Sequence, residues 1–141
     1  MPVDSRIIEF IQKHHVLTLA TSVENSPYTS TCFYVYDEKE NSFIITSGPE
    51  TRHASEMLIN SKIAGAIALE TSIVGKIQGI QFTGITEELS DKEFDKANKK
   101  YIAKFPVAAL AKLHLWKLKP DFIKMTHNRL GFGKKLIWKA E

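Results

Sequence analysis

Three β-branched and aromatic runs, separated by short polar turns, constrain this chain most. They are "HVLTLATS" (residues 15–22), "YTSTCFYVY" (28–36) and "FIITS" (43–47). The links between them, "ENSP" and "DEKENS", are turn chemistry. Runs of this composition and length predict strands, and links this short predict antiparallel neighbours. A β-meander is therefore the first expectation. In the middle strand Cys32, Tyr34 and Tyr36 fall on one face and Thr31, Phe33 and Val35 on the other. Both faces are largely apolar, so both are expected to be covered, the outer one by a helix or a second subunit.

The rest of the chain extends this pattern. Asp4 is placed to cap a first helix with Ile7, Ile8, Phe10 and Ile11 on its apolar stripe. A short helix is predicted near residues 52–60, a strand in "IAGAIAL", and a long strand over 76–89 containing Gly79 and Gly84. "SDKE" reads as a capping box for a helix carrying Phe94, Ala97, Tyr101 and Phe105, which Pro106 ends. "LWKLKPDFIKMT" reads as a strand pair turning at Lys119-Pro120-Asp121. Six or more strands with helices at the start, middle and between late strands predict a closed or partly open β-barrel spanning residues 1–141 as one domain.

Several classes are set aside on composition. The N-terminus lacks the apolar core of a signal peptide, and no apolar run approaches the roughly 20 residues of a membrane span, so a cytoplasmic protein with no membrane partner is expected. The single Cys32 excludes an intrachain disulfide and a cysteine zinc cage. It sits mid-strand without a patterned His and Asp, as a structural thiol does. The net charge of +3 is mild, and no nucleic-acid-binding motif accompanies the lysines after Lys92. The histidines show no metal-ligand spacing.

The stretch "SGPETRHASEM" (47–57) raises a functional question. It joins a strand to a helix, and it puts Arg52 and His53 in the first helical turn. That turn is the positive end of the helix dipole, where acids are ordinarily favoured. Free N–H groups, Thr51 and Arg52 together would make an anion site. The alternative is an Arg52 paired with Glu50 or Glu56.

The order "HVLTLATS…SPYTSTCFYVYDEKENSFIITS…TRHASEML…IAGAIALE" resembles the FMN-binding split barrels related to pyridoxamine 5'-phosphate oxidase. "IQGIQFTGI", "FPVA" and "NRLGFGKKLIW" resemble one bacterial branch of them, the UPF0306 family. The resemblance implies a mainly β fold, a six-stranded split barrel with peripheral helices. It implies a homodimer with FMN at the interface. It places Ser30 and Thr31 beside the flavin, with Ser30 where many relatives carry arginine. Thr46 and Ser47 fall on the ribityl-phosphate path. Thr51 and Arg52 stand where relatives use a phosphate-binding lysine, and His53 is open to three roles: phosphate donor, stacking partner, or buried helix residue with one satisfied nitrogen. Gln78 and Gln81 offer amides to the flavin of the partner, although both reach one ring only if Gly79 forms a bulge. Lys134 and Lys135 offer contacts to a phosphate. Trp138 is expected to pack, with Trp116, Phe105 and Phe94 in the core.

The implied function is a flavoprotein oxidoreductase acting on a small molecule. FAD and haem are the alternative cofactors, the latter with His53, His114 or His127 as axial ligand. A non-catalytic binding module or a dimeric scaffold is the alternative role. Pyridoxamine phosphate oxidation itself is not expected, because the chain is short and the basic substrate-phosphate motifs are not found near its C-terminus.

Overall fold

Strands β1 (Val16–Val23), β2 (Ser26–Asp37) and β3 (Ser42–Thr46) form the expected meander in a computed structural model that describes Met1–Glu141. Glu24 and Asn25 make the first turn, with φ of 52° and 63°. Two residues in the left-handed region match the twist of a tight hairpin. Strands β4 (Lys62–Ala68), β5 (Gln78–Glu88) and β6 (Leu115–His127) continue the sheet in the order β3-β2-β1-β4-β5-β6. Pairing of β3 with β6 closes these six strands into a barrel.

A seventh strand, β7 (Lys135–Lys139), is added outside the barrel. β3 pairs with residues 115–118 of β6, and β7 pairs with residues 122–126. The barrel is split between those two contacts, at Lys119–Asp121. There the sequence predicts a turn, and the structure shows one continuous strand instead. The register between β5 and β6 shifts after Thr83, so that Gly84 faces Pro120 and Asp121 is the extra residue. Proline is tolerated at such a bulge because no ladder N–H is required of it. A Cβ at Gly84 would lie 2.1 Å from the Lys119 carbonyl oxygen. Only glycine lets the two backbones approach this closely.

Alternation fills the barrel with one side of every strand. Leu17, Leu19, Tyr34, Phe43, Phe82 and Ile123 are buried there. Phe43 stacks on Phe82 with centroids 4.7 Å apart. Cys32 is buried in the same core as a free thiol. Trp116 joins it, and Trp138 packs against its edge.

Helix α1 (Ser5–Lys13) is capped by Asp4, whose side chain accepts from the Arg6 N–H at 2.8 Å, and it lays Ile7, Phe10 and Ile11 on the barrel. Helix α2 (Arg52–Ile59) follows β3. Helix α3 (Asp91–Lys104) ends before Pro106, as the sequence predicts. The predicted capping box is not formed. Ser90 makes no side-chain cap bond, and Asp91 sits in the left-handed region at φ 54°. α3 covers the outer side of β2 and β3 through Ala97, Tyr101, Val35 and Ile44, with Phe94 and Phe105 alongside. The outer face of β2 therefore meets a helix at Val35, while Phe33 stays 58% exposed.

Further along the same outer surface no helix lies. Pairing aligns Thr31, Thr18, Ala66 and Gln81 in one row, and Thr29, Ala20, Ala64 and Thr83 in the next. All of these except Thr31 line a shallow, open groove of about 410 Å³. No helix of the chain is long and apolar enough to cross a membrane.

Candidate functional site

The turn after β3 is built by Thr51. Its hydroxyl donates to the Gly48 carbonyl at 2.8 Å and accepts from the Ala54 N–H at 3.3 Å, which caps α2. The Thr51 side chain is thereby committed to the helix start. The first N–H groups of α2 have no intrahelical partner. Ser47, which precedes that turn, is 4% exposed. The Ser47 N–H donates to the His114 carbonyl at 2.9 Å, and its carbonyl accepts from Trp116 Nε1 at 3.2 Å. With its backbone held on both sides, Ser47 presents Oγ to His53 Nε2 at 2.7 Å. Burial holds the His53 imidazole below its ordinary value, against a smaller opposing pull from Glu56. His53 is therefore a neutral donor or acceptor near pH 7.

Across from Ser47, on β2, Ser30 and Cys32 point inward. Burial pushes the Cys32 thiol up, against the influence of the Ser30 and Ser47 hydroxyls beside it. Ser30 Oγ is buried with no oxygen or nitrogen partner; its neighbour is the Cys32 sulfur, a weak acceptor. An under-partnered buried hydroxyl beside a serine–histidine pair and a helix N-terminus suits a bound oxyanion.

Arg52 forms the rim. Its Nε donates to Glu56 Oε2 at 2.8 Å, and its guanidinium carbon lies 4.1 Å from the centre of the Tyr28 ring. Thr21 Oγ1 donates to the other oxygen of Glu56 at 2.7 Å. Arg52 first, and Thr21 next, hold the Glu56 carboxyl below its ordinary value. The pairing with Glu56 offered as the alternative role of Arg52 is thus present. It uses only Nε and fixes the plane of the guanidinium, whose two Nη groups make no other intramolecular bond.

The structure brings Ser30, Ser47, Thr51, Arg52 and His53 to one end of the barrel. It places the other sequence candidates elsewhere. Thr31 is on the outer face, in the row with Gln81. Thr46 pairs with Leu115 and alternates away from Ser47. No bulge forms at Gly79, because pairing with β6 is continuous from Gln78 to Thr83. Gln78 and Gln81 consequently face opposite sides of the sheet, Gln81 outward and Gln78 toward α1. Lys135 donates to Thr126 Oγ1 at 3.0 Å on the β6–β7 edge, and the Gly131 and Gly133 turn precedes it. Tyr28, Thr21 and Glu56 were not candidates from the sequence. Only the i,i+4 spacing of Arg52 and Glu56 signals that group.

A six-stranded barrel closed through β3 and β6, and split where β7 takes over the edge, defines the split-barrel class. The chain belongs to the pyridoxamine 5'-phosphate oxidase family, whose model matches residues 3–127. It is also 39% identical to the UPF0306 protein YpsIP31758_3570 of Yersinia pseudotuberculosis serotype O:1b (strain IP 31758), over 94% of this chain and 90% of that one. Among solved structures, a heme binding protein from Mycobacterium smegmatis is similar at TM-score 0.74 and 16% identity. The match covers 89% of this chain and 52% of that one, so the chain spans about half its length. An FAD-binding protein from Mesorhizobium loti is similar at TM-score 0.70 and 15% identity, over 86% of this chain and 90% of that one. The two structural likenesses are likenesses of fold.

Proposed function

We propose that this protein binds FMN and works as a flavoprotein oxidoreductase on a small molecule. The observation that carries the reading is the under-partnered Ser30 Oγ beside the Ser47–His53 pair at the start of α2. A phosphate there would accept from Ser30, from His53 and from the first N–H groups of α2, with Arg52 Nη groups closing over it. Arg52 would take the phosphate-anchoring work of the lysine that the resemblance places at the start of this helix. The outer groove of a second copy, with that copy's Gln81 in its wall, would receive the ring. An amide suits the ring edge because it both donates and accepts. A bound flavin supplies hydride or single-electron transfer. No residue of the chain is assigned a catalytic proton transfer. Family membership supports the reading through the cofactor class of the fold; FAD and haem are the competing occupants.

The test is a visible spectrum of the purified protein, repeated after excess FMN and desalting. Retained flavin bands are expected, with FMN affinity lowered about tenfold or more in Arg52→Ala and in His53→Ala, which is about 1.4 kcal/mol each. A Soret band, or flavin retention unaffected by both substitutions, overturns the reading.

A further inference from the structure

Gln78 and His127 take no part in the cradle, and the structure puts them side by side elsewhere. They are direct partners in the β5–β6 register and both line the mouth of the barrel under α1. The cavity there measures about 250 Å³. Arg6, Lys13 and Arg129 line it, and Glu9 is its only acid. Arg6 is committed to Asp4 at 2.7 Å and Lys13 to Glu9 at 2.9 Å. Arg129 has no ion pair, and the Gln78 amide makes no side-chain hydrogen bond. The Nδ1 of His127 is buried without a hydrogen-bond partner.

Three polar groups without side-chain partners therefore line one partly open cavity: the buried His127 Nδ1, the half-buried Gln78 amide and the exposed Arg129 guanidinium. Buried polar groups in folded proteins are nearly always partnered. Apolar ligands leave such groups unsatisfied, and a cation would meet an excess of positive charge. An oxyanion answers both conditions. Phe10 gives the cavity an aromatic wall, and its size suits a small molecule rather than a dinucleotide.

We propose that this cavity is a second anion site, taking a small molecule that carries a phosphate or carboxylate. Arg129 supplies the charge, and Gln78 and His127 supply directed hydrogen bonds. The site is independent of flavin binding at α2.

The test is an amide NMR titration of the full chain with sodium phosphate and, separately, sodium succinate, against sodium chloride at matched ionic strength. Saturable shifts at Gln78, His127 and Arg129 are expected with at least one of the two anions, and which one responds separates phosphate from carboxylate. The dissociation constant should rise at least tenfold in Arg129→Gln, an exposed substitution that leaves the core intact. It should be unchanged in Arg52→Ala, whose effect is confined to the α2 cradle. Shifts that follow chloride equally, that appear only around α2, or that persist unchanged in Arg129→Gln overturn the proposal, as does the absence of saturable shifts with both anions.

Discussion

His53 joins burial to ligand chemistry in a single side chain. Its imidazolium is disfavoured in the folded protein, chiefly by desolvation. In the unfolded chain it titrates near 6.5. Between those two values the unfolded chain binds more protons, so stability is full above about 6.5 and declines as pH falls through and below it. Urea unfolding at pH 7.5 and 5.5 should show a larger loss for the wild type than for His53→Asn. The difference should stay under about 1 kcal/mol, because the ring keeps some contact with solvent. A phosphate dianion beside His53 inverts the sign. It favours the imidazolium, so FMN affinity should rise over the same fall in pH, and this rise should be absent in His53→Asn. Unchanged FMN affinity across that range would remove His53 from the phosphate contacts. The sequence placed His53 correctly in the first turn of a helix. Its bond to Ser47 depends on how the Gly48–Thr51 turn folds back, and no local pattern encodes that.

The elements themselves were largely legible, for a physical reason. β1 and much of β2 alternate between a core and an exterior, β3 is a short apolar run buried on both faces, and the turns between them take left-handed backbone at Glu24, Asn25 and Asn41. What escaped the sequence depends on distant partners. Pro120 reads as a turn until Gly84 is set opposite it. "SDKE" reads as a capping box until Asp91 is seen at φ 54°. β7 follows a glycine turn and pairs with a strand already used elsewhere. The docking of α3 also rests on long-range pairs. Lys100 Nζ lies 2.7 Å from Asp37 Oδ2, and Asp37 keeps only 4% side-chain exposure. Lys117 is buried too, yet its acids Glu40 and Glu93 are 41% and 61% exposed. Removing one partner of a buried pair strands the other, whereas exposed acids can turn to water. Lys100→Met should therefore cost about 1–3 kcal/mol, since it leaves the buried Asp37 carboxylate with the Glu40 N–H but no cation. Lys117→Met should stay within about 1 kcal/mol of the wild type. Urea midpoints of the two variants test the ordering, and equal losses would show that the exposure of the acid does not decide the cost.

At the scale of the whole molecule, the barrel is covered by helices unevenly. α3 shields β2 and β3, and α1 closes one mouth. The rows of threonine and alanine across β2, β1, β4 and β5 stay open. Small side chains make this face flat enough for another sheet to approach closely. The cradle residues and Gln81 lie on different faces of one chain, so a ligand that touches both would be completed by a second copy. Ala66→Arg puts a long cation in the middle of that face while pointing away from the core. The variant should unfold at the wild-type urea concentration but sediment as a monomer of about 16.0 kDa where the wild type sediments at twice that. It should also lose FMN at that concentration although Ser30, Ser47 and His53 are untouched. A wild type that is monomeric and still retains flavin would place the whole cofactor site within one chain, and Gln81 would then have no part in it.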